Sequence, residues 1–190
     1  MLQEITVKIQ GVAPLIMHNG QTCDPLNKFA KAMKEITGKR KKTEEDHAEL
    51  SRIEWMAGLY VDDKAQLIIP SDVLDSALVE GAKKSKLGKQ FKSAVFVPYD
   101  AKLDIGVSKY TLEHLWNNEN FRDVRGVRVG TSRVMRTRPL FRDWSASFCV
   151  QFDDEQVNLG DVKRAIRDCG KQVGLCDYRP KYGRFDVVED

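Results

Sequence analysis

Residues 144–152 read Trp144-Ser-Ala-Ser-Phe-Cys-Val-Gln-Phe152, in which aromatic and aliphatic side chains alternate with small or polar ones. Successive side chains of a strand point to opposite faces of its sheet, so this alternation predicts a strand with one buried face. Glu4 to Gln10 alternate in the same way and predict a first strand at the beginning of the chain. These two stretches therefore predict the sheet around which the chain folds.

Helical patterns accompany the strands in the middle and at the end of the chain. Leu67 to Ile69 predict a short buried strand, and a helix with apolar residues at helical spacing follows from Pro70 to Ala82. Asn158 caps a further helix that ends at Gly174, and Phe185 to Val188 supply a last strand. This order predicts an α+β protein, a ferredoxin-like (RRM-like) antiparallel sheet with helices on one face.

The length of the chain fits one domain with an insertion. At 190 residues and 21.6 kDa, residues 1–190 can bury one core without disulfides or metals. Residues 21–60 predict an inserted helical hairpin, with a capping box beginning at Thr43 opening its second helix. Residues 121–143 predict an extended, arginine-rich β-ribbon.

The cysteines and histidines do not form a metal-binding or disulfide pattern. The four cysteines contain no C-x-x-C pair, and His47 and His114 have no partner at ligand spacing, so we expect neither a metal nor another cofactor. The amphipathic beginning is not typical of a signal peptide, and no apolar run approaches the ~20 residues of a membrane span. These features predict a cytoplasmic protein.

Positive charge is concentrated in one segment. Arg122 to Arg142 contain seven arginines, no lysine and one acid, Asp123, which gives +6, whereas the whole chain carries only +3. Guanidinium groups are always charged and bind phosphate oxygens bidentately. An arginine ribbon interleaved with the aromatic residues Phe121, Phe141 and Trp144 is typical of single-stranded nucleic-acid binding, in which bases stack on aromatic rings.

The predicted nucleic-acid-binding residues come from this ribbon and from a basic loop near the end of the chain. In an extended ribbon Arg136, Arg138 and Arg142 project to one face and Arg133 to the other. The full predicted set is Arg122, Arg125, Arg128, Arg133, Arg136, Arg138, Phe141, Arg142, Arg179, Lys181 and Arg184. The alternative is that the aromatic residues belong to the core and some arginines pair with nearby acids.

Two segments resemble a known family. Ile69-Pro70-Ser-Asp-Val-Leu-Asp-Ser-Ala-Leu78 resembles the I-P-G-S-S-L-K-G-A-L motif of RAMP-superfamily proteins, which are ferredoxin-like RNA-binding subunits of CRISPR effector complexes. Residues 174–185 are similar to the glycine-rich C-terminal loop of that superfamily. The resemblance implies a backbone-type subunit that lays a single strand across its sheet, and the compact length is similar to stand-alone phage-encoded relatives.

The sequence leaves three functions open. The leading prediction is a non-catalytic protein that binds single-stranded RNA or DNA and assembles as a homo-oligomer or filament along the strand. The second is an interaction module that engages or mimics a CRISPR-type complex. The third is a metal-independent endoribonuclease, for which the resemblance implies His18 as a general base or Asp24 in the loop after strand one as the catalytic candidates.

Overall fold

The chain is a mixed α/β protein with antiparallel sheets, and the computed structural model describes residues 1–188. Its strands are β1 (Leu2–Gly11), β2 (Leu15–Ile16), β3 (Ile68–Ile69), β4 (Val95–Phe96), β5 (Ala101–Asp104), β6 (Arg122–Val129), β7 (Ser132–Phe141), β8 (Ser145–Asp153) and β9 (Phe185–Val188). Its α-helices are α1 (Lys28–Thr37), α2 (Glu44–Gly58), α3 (Ser71–Lys83), α4 (Gly88–Ala94), α5 (Leu112–Asn117) and α6 (Leu159–Asp168).

The two alternating stretches of the sequence are the central strands of the larger sheet. β1 and β8 pair antiparallel from Leu2 opposite Asp153 to Gln10 opposite Ser145. The order of the sheet is β3-β5-β8-β1-β9, and β4 also pairs with β8. Leu2 at the beginning of β1 is exposed, whereas six apolar residues on one face of these strands are buried, as the period-two pattern predicts: Val7, Ile9, Ala146, Phe148, Val150 and Phe152.

Helices α3 and α6 bury one apolar face each and lie against one another. The buried residues of α3 include Leu74 and Leu78, and those of α6 include Val162 and Ile166. Their close approach requires Gly81, because a Cβ at this position would lie 2.4 Å from the carbonyl oxygen of Ala165. A π-helical turn, Cys169–Val173, extends α6 to Gly174, whose φ of +78° ends the helix where the sequence predicts.

The chain divides into two compact units. The first unit comprises Met1–Leu15, Val61–Ser108 and the chain from Phe141 onward, and it contains the larger sheet with α3, α4 and α6. The second unit comprises Ile16–Tyr60 and Lys109–Leu140, and it contains α1, α2, α5 and the ribbon of β6 and β7. The predicted insertion, residues 21–60, therefore folds together with the predicted ribbon.

Capping explains why the helices of the second unit begin where they do. The Thr43 hydroxyl accepts a hydrogen bond from the Asp46 N–H while the Asp46 carboxylate accepts one from the Thr43 N–H, which confirms the predicted capping box of α2. Asn27 caps α1, so this helix begins at Lys28. Leu26 therefore lies before the helix, and its side chain is exposed. Within residues 1–188, no helix is both long enough and apolar enough to cross a membrane.

Candidate nucleic-acid interface

The arginine ribbon is a two-stranded antiparallel hairpin with two chemically different faces. β6 pairs with β7 from Arg122 opposite Pro139 to Val129 opposite Ser132. Residues directly opposite one another in such a ladder share a face. We call the face that carries Asp123, Arg125, Arg136 and Arg138 the paired face, and the face that carries Val124, Arg128, Arg133 and Met135 the open face.

Two arginines of the paired face, Arg125 and Arg136, are held by carboxylates. Arg136 donates to Glu54 of α2, and the other oxygen of Glu54 accepts the Thr137 N–H at 3.0 Å. Arg125 donates through Nε and Nη2 to the two oxygens of Asp123. These charges are compensated within the protein, as the alternative to nucleic-acid binding predicts, so the paired face offers less free charge to a phosphate than its composition indicates.

Arg122, at the base of the ribbon, is also engaged. Its guanidinium lies over the Trp116 ring at 4.7 Å from the centroid, and its Nη2 is 3.3 Å from a carboxylate oxygen of Glu119. Trp116 in turn lies beside the buried Trp55, with ring centroids 5.8 Å apart. Arg122 is therefore part of the packing that anchors the ribbon in its unit.

The open face presents uncompensated charge beside apolar surface. Arg128 and Arg133 are directly opposite one another and exposed, and neither makes an ion pair with any residue that the structure describes. Val124 and Met135 on the same face are 56% and 62% exposed. Arg128 donates through Nε to the carbonyl of Gly130, whose φ of +59° allows the tight turn. Charge and apolar surface thus lie side by side.

A small pocket in the same unit contains one of the two catalytic candidates. His18, Glu54, Arg136 and Arg138 contribute to its lining, and its volume is about 150 Å³. Asp24 does not line it. The Asp24 carboxylate instead accepts the Leu26 N–H at 2.8 Å, which closes a turn before α1. The structure therefore brings His18, but not Asp24, together with the predicted arginines.

Two of the three aromatic residues of the ribbon region, Phe141 and Trp144, are core residues, which corrects the prediction that they stack on bases, whereas Phe121 is half-buried. Phe141 is 0% exposed and Trp144 is 1% exposed. The Trp144 indole donates to the Ala13 carbonyl at 2.8 Å and meets the Phe185 ring edge-on. A base cannot reach either ring. Arg142 follows β7, which ends at Phe141, and is exposed in the first unit.

The basic loop near the end of the chain belongs to the first unit. Arg179, Lys181 and Arg184 are exposed on it, and the Arg184 guanidinium donates to the Lys171 carbonyl. Gly183 has a φ of +69°, and a Cβ there would lie 2.0 Å from the Leu175 carbonyl oxygen. The glycine is thus required for the loop to fold back on itself.

Sequence reasoning missed two features of this interface. It did not predict β6 as the second arm of the ribbon, although Val124, Val127 and Val129 lie in a run bounded by the Gly130 turn. It also missed Glu54, one of several acids on α2 that only the position of β7 distinguishes. Across residues 1–188, no three His, Cys, Asp or Glu side chains are grouped closely enough to hold a metal ion.

Comparison with known proteins shows a shared fold but no close relative by sequence. No family model matches the chain, and no curated protein does. A chain in the cryo-EM structure of the type III-B Cmr-beta complex bound to cognate target RNA is 14% identical, with a TM-score of 0.54 over 99% of this chain and 59% of that chain. The chain thus spans less than two thirds of that neighbour's length.

Cmr6 from Pyrococcus furiosus is 11% identical, with a TM-score of 0.43 and 99% of both chains covered. At these identities the likeness is one of fold. The fold shared with the chain of the Cmr-beta structure agrees with the resemblance that the segments beginning at Ile69 and at Gly174 indicate.

Proposed function

We propose that this chain binds single-stranded nucleic acid through the open face of the ribbon and does not cut it. One observation carries the proposal: Arg128 and Arg133 lie opposite one another, exposed and without a carboxylate partner among residues 1–188, whereas Arg125 and Arg136 on the paired face are compensated. Two adjacent guanidinium groups can hold successive phosphates of one strand.

The apolar side chains on the open face support a single strand as the ligand. Val124 and Met135 are both exposed on the same face as the two arginines: Met135 is the next residue on that face of β7 after Arg133, and Val124 lies further along β6. A single strand offers unstacked base faces that apolar side chains can contact, while a duplex hides those faces inside its stack. The fold shared with a subunit of an RNA-bound complex favours RNA as the first ligand to test.

The ferredoxin-like interpretation of the larger sheet is part of this proposal. It is supported by the strand order β5-β8-β1-β9. Along the chain, α3 lies between β1 and β5, and α6 lies between β8 and β9. In this interpretation the second unit is an insertion that carries the ribbon. We further propose that several copies bind along one strand, which a stoichiometry above one protein per long oligonucleotide would support.

The test is fluorescence anisotropy with labelled single-stranded RNA, single-stranded DNA and duplex across a salt series. For Arg128→Ala combined with Arg133→Ala, we expect the log-log salt slope to flatten by about 1.4, since each phosphate contact on a single strand contributes about 0.7. Lys163→Ala combined with Arg164→Ala, which removes the same charge from α6, is the matched control and should change the slope less. Absence of binding at about 50 mM salt would overturn the proposal.

The pocket lined by His18 favours ribonuclease activity as a second candidate function. An imidazole beside two guanidinium groups could deprotonate a 2′-hydroxyl while the arginines hold the phosphate. Incubation with labelled RNA in EDTA tests this. Product that forms with the wild type and with Asp24→Ala, but not with His18→Ala, would replace the non-catalytic proposal.

A further inference from the structure

A second basic surface lies in the first unit and is formed by other residues than the arginine run. We call it the lysine groove, a depression of about 850 Å³ whose lining includes Lys83, Lys86, Lys89, Lys92 and Arg179. Residues 83–92 contain five lysines and no acid, which is the sequence signal for it. Two acids, Asp75 and Glu80, also line the groove, so five cations against two carboxylates give a net charge of +3.

The turn between α3 and α4 fixes the backbone from which these lysines project. α3 ends at Lys83, and Lys86 adopts a left-handed conformation with a φ of +62°. The Leu87 N–H donates back to the Ala82 carbonyl at 3.0 Å, which closes the turn. Gly88 then begins α4 directly beneath the Lys83 stem, since a Cβ at Gly88 would lie 2.5 Å from Lys83 Cγ.

Lys89 and Lys92 are three residues apart on α4, so they project from the same face of this helix. Together with Lys83 and Lys86 they bring four ammonium groups to the lining of the groove. Arg179 reaches it from the loop near the end of the chain, so segments far apart in sequence converge on one depression.

Most of these cations form no ion pair within residues 1–188. Lys86, Lys89, Lys92 and Arg179 make no ion pair with any of the residues in the described range 1–188. Lys83 alone is paired, with Glu80. The hydrogen bond from Lys83, followed by the attraction of Arg179 and Lys84, holds the pKa of Glu80 below its ordinary value. An external anion would relieve the remaining repulsion among the cations.

An exposed aromatic ring lies in the same groove. Phe96, on strand β4, is 41% exposed, although the residues on either side of it, Val95 and Val97, are buried. This arrangement suits a single-stranded nucleic acid, because its phosphates can bind the lysines while one of its bases stacks on the ring. An acidic protein surface would use the charges but not the ring.

We propose that the lysine groove is a second binding site for a single-stranded nucleic acid, in which the lysines hold the phosphodiester backbone and Phe96 stacks on a base. The site goes beyond the ribbon and does not depend on it, because every lining residue belongs to the first unit.

Anisotropy with single-stranded RNA and DNA tests the groove in the full chain, in the wild type and in the Arg128→Ala, Arg133→Ala background. Lys89→Glu combined with Lys92→Glu should flatten the salt slope by at least about 1.4 in both backgrounds. Phe96→Ala should weaken binding about 5- to 150-fold, the fold-change that corresponds to one stacked base. Glu80→Gln should tighten binding, because it removes a carboxylate from the groove.

Matched controls separate local contact from general charge. Lys102→Glu combined with Lys163→Glu reverses two exposed lysines of the first unit outside the groove, and Tyr99→Ala removes an aromatic side chain that is 72% exposed. All variants change exposed side chains, and thermal melts should confirm that they fold.

An unchanged affinity and slope in the Lys89→Glu, Lys92→Glu variant would overturn the site. Two results together would overturn nucleic acid as the ligand of the groove: polyglutamate at equal charge displaces the labelled oligonucleotide, and Phe96→Ala leaves the affinity unchanged. If the Arg128→Ala, Arg133→Ala variant binds like the wild type while the Lys89→Glu, Lys92→Glu variant binds more weakly, only the ribbon site is overturned.

Discussion

The carboxylate of Glu54 on α2 binds Arg136 on β7, and its second oxygen accepts the backbone N–H of the following residue, Thr137. Glu54 is 9% exposed at its side chain, so this clamp replaces water at both oxygens. It attaches β7 of the ribbon to α2, and it compensates the charge of Arg136. The clamp explains why the open face rather than the paired face is the better candidate for binding.

We expect Glu54→Ala to lower the free energy of unfolding by about 2–3 kcal/mol, because it leaves both the guanidinium and the Thr137 N–H without their acceptor. For a chain of this length, that corresponds to a fall in Tm of about 4–12 °C. Glu54→Gln should cost about half as much, since the amide oxygen can still accept one of the two hydrogen bonds. Equal melting of Glu54→Ala and the wild type would contradict the clamp.

We expect Gly81→Ala to destabilise the chain by about 1–3 kcal/mol even though alanine is the better helix former. The added methyl would meet the Ala165 carbonyl oxygen at 2.4 Å and the Cys169 backbone nitrogen at 2.9 Å, so α3 and α6 must move apart. Gly20→Ala is the control, since a Cβ there has nothing within 4 Å. Urea unfolding measures both variants, and similar midpoints would be evidence against the close approach.

We expect Trp55→Phe to lower the free energy of unfolding by about 1–3 kcal/mol. The buried Trp55 indole donates to the Phe121 carbonyl at 2.7 Å, and phenylalanine would leave that carbonyl without this donor. Trp116→Phe, at the half-buried partner ring, retains the aromatic contact and should cost less. Chemical denaturation followed by circular dichroism measures the free energy of unfolding of both variants. A larger loss for Trp116→Phe than for Trp55→Phe would refute this prediction.

We expect Cys23 to be alkylated at least about 100-fold faster than Cys169 in the native protein at pH 8. Cys23 is exposed, whereas Cys169 is buried and its burial raises its pKa to about 12. Mass spectrometry after timed iodoacetamide treatment measures both rates, with urea-unfolded protein as the control in which they converge. Comparable native rates would show that Cys169 is not enclosed.

The same shift predicts a loss of stability in alkali. Because the Cys169 thiol titrates near 9 when exposed and at about 12 when folded, the unfolded state releases its proton first as pH rises. Its contribution to the free energy of unfolding is therefore complete below pH 9 and decreases between pH 9 and about pH 12. Cys169→Ser should show a smaller alkaline decrease in urea-unfolding experiments, and an unchanged decrease would assign it to other groups.

Local patterns predicted the elements whose formation depends on neighbours in the chain. The alternation from Trp144 to Phe152 predicted β8, the Thr43 capping box predicted the beginning of α2, and Gly174 predicted the end of the helical segment that contains α6. The concentration of arginines also predicted that the ribbon carries positive charge. In each case the relevant partner lies within a few residues, or the pattern repeats along one element.

The sequence by itself therefore determined the two central strands, the capping box of α2 and the position of the charge, since periodicity and capping are properties of contiguous residues. Tertiary structure alone decided which charges remain available. Glu54 compensates Arg136 across 82 residues of chain, Phe141 is buried rather than exposed, and Arg179 joins Lys89 in one groove. Burial and ion pairing between distant segments depend on the packing of several elements, and no contiguous pattern encodes them.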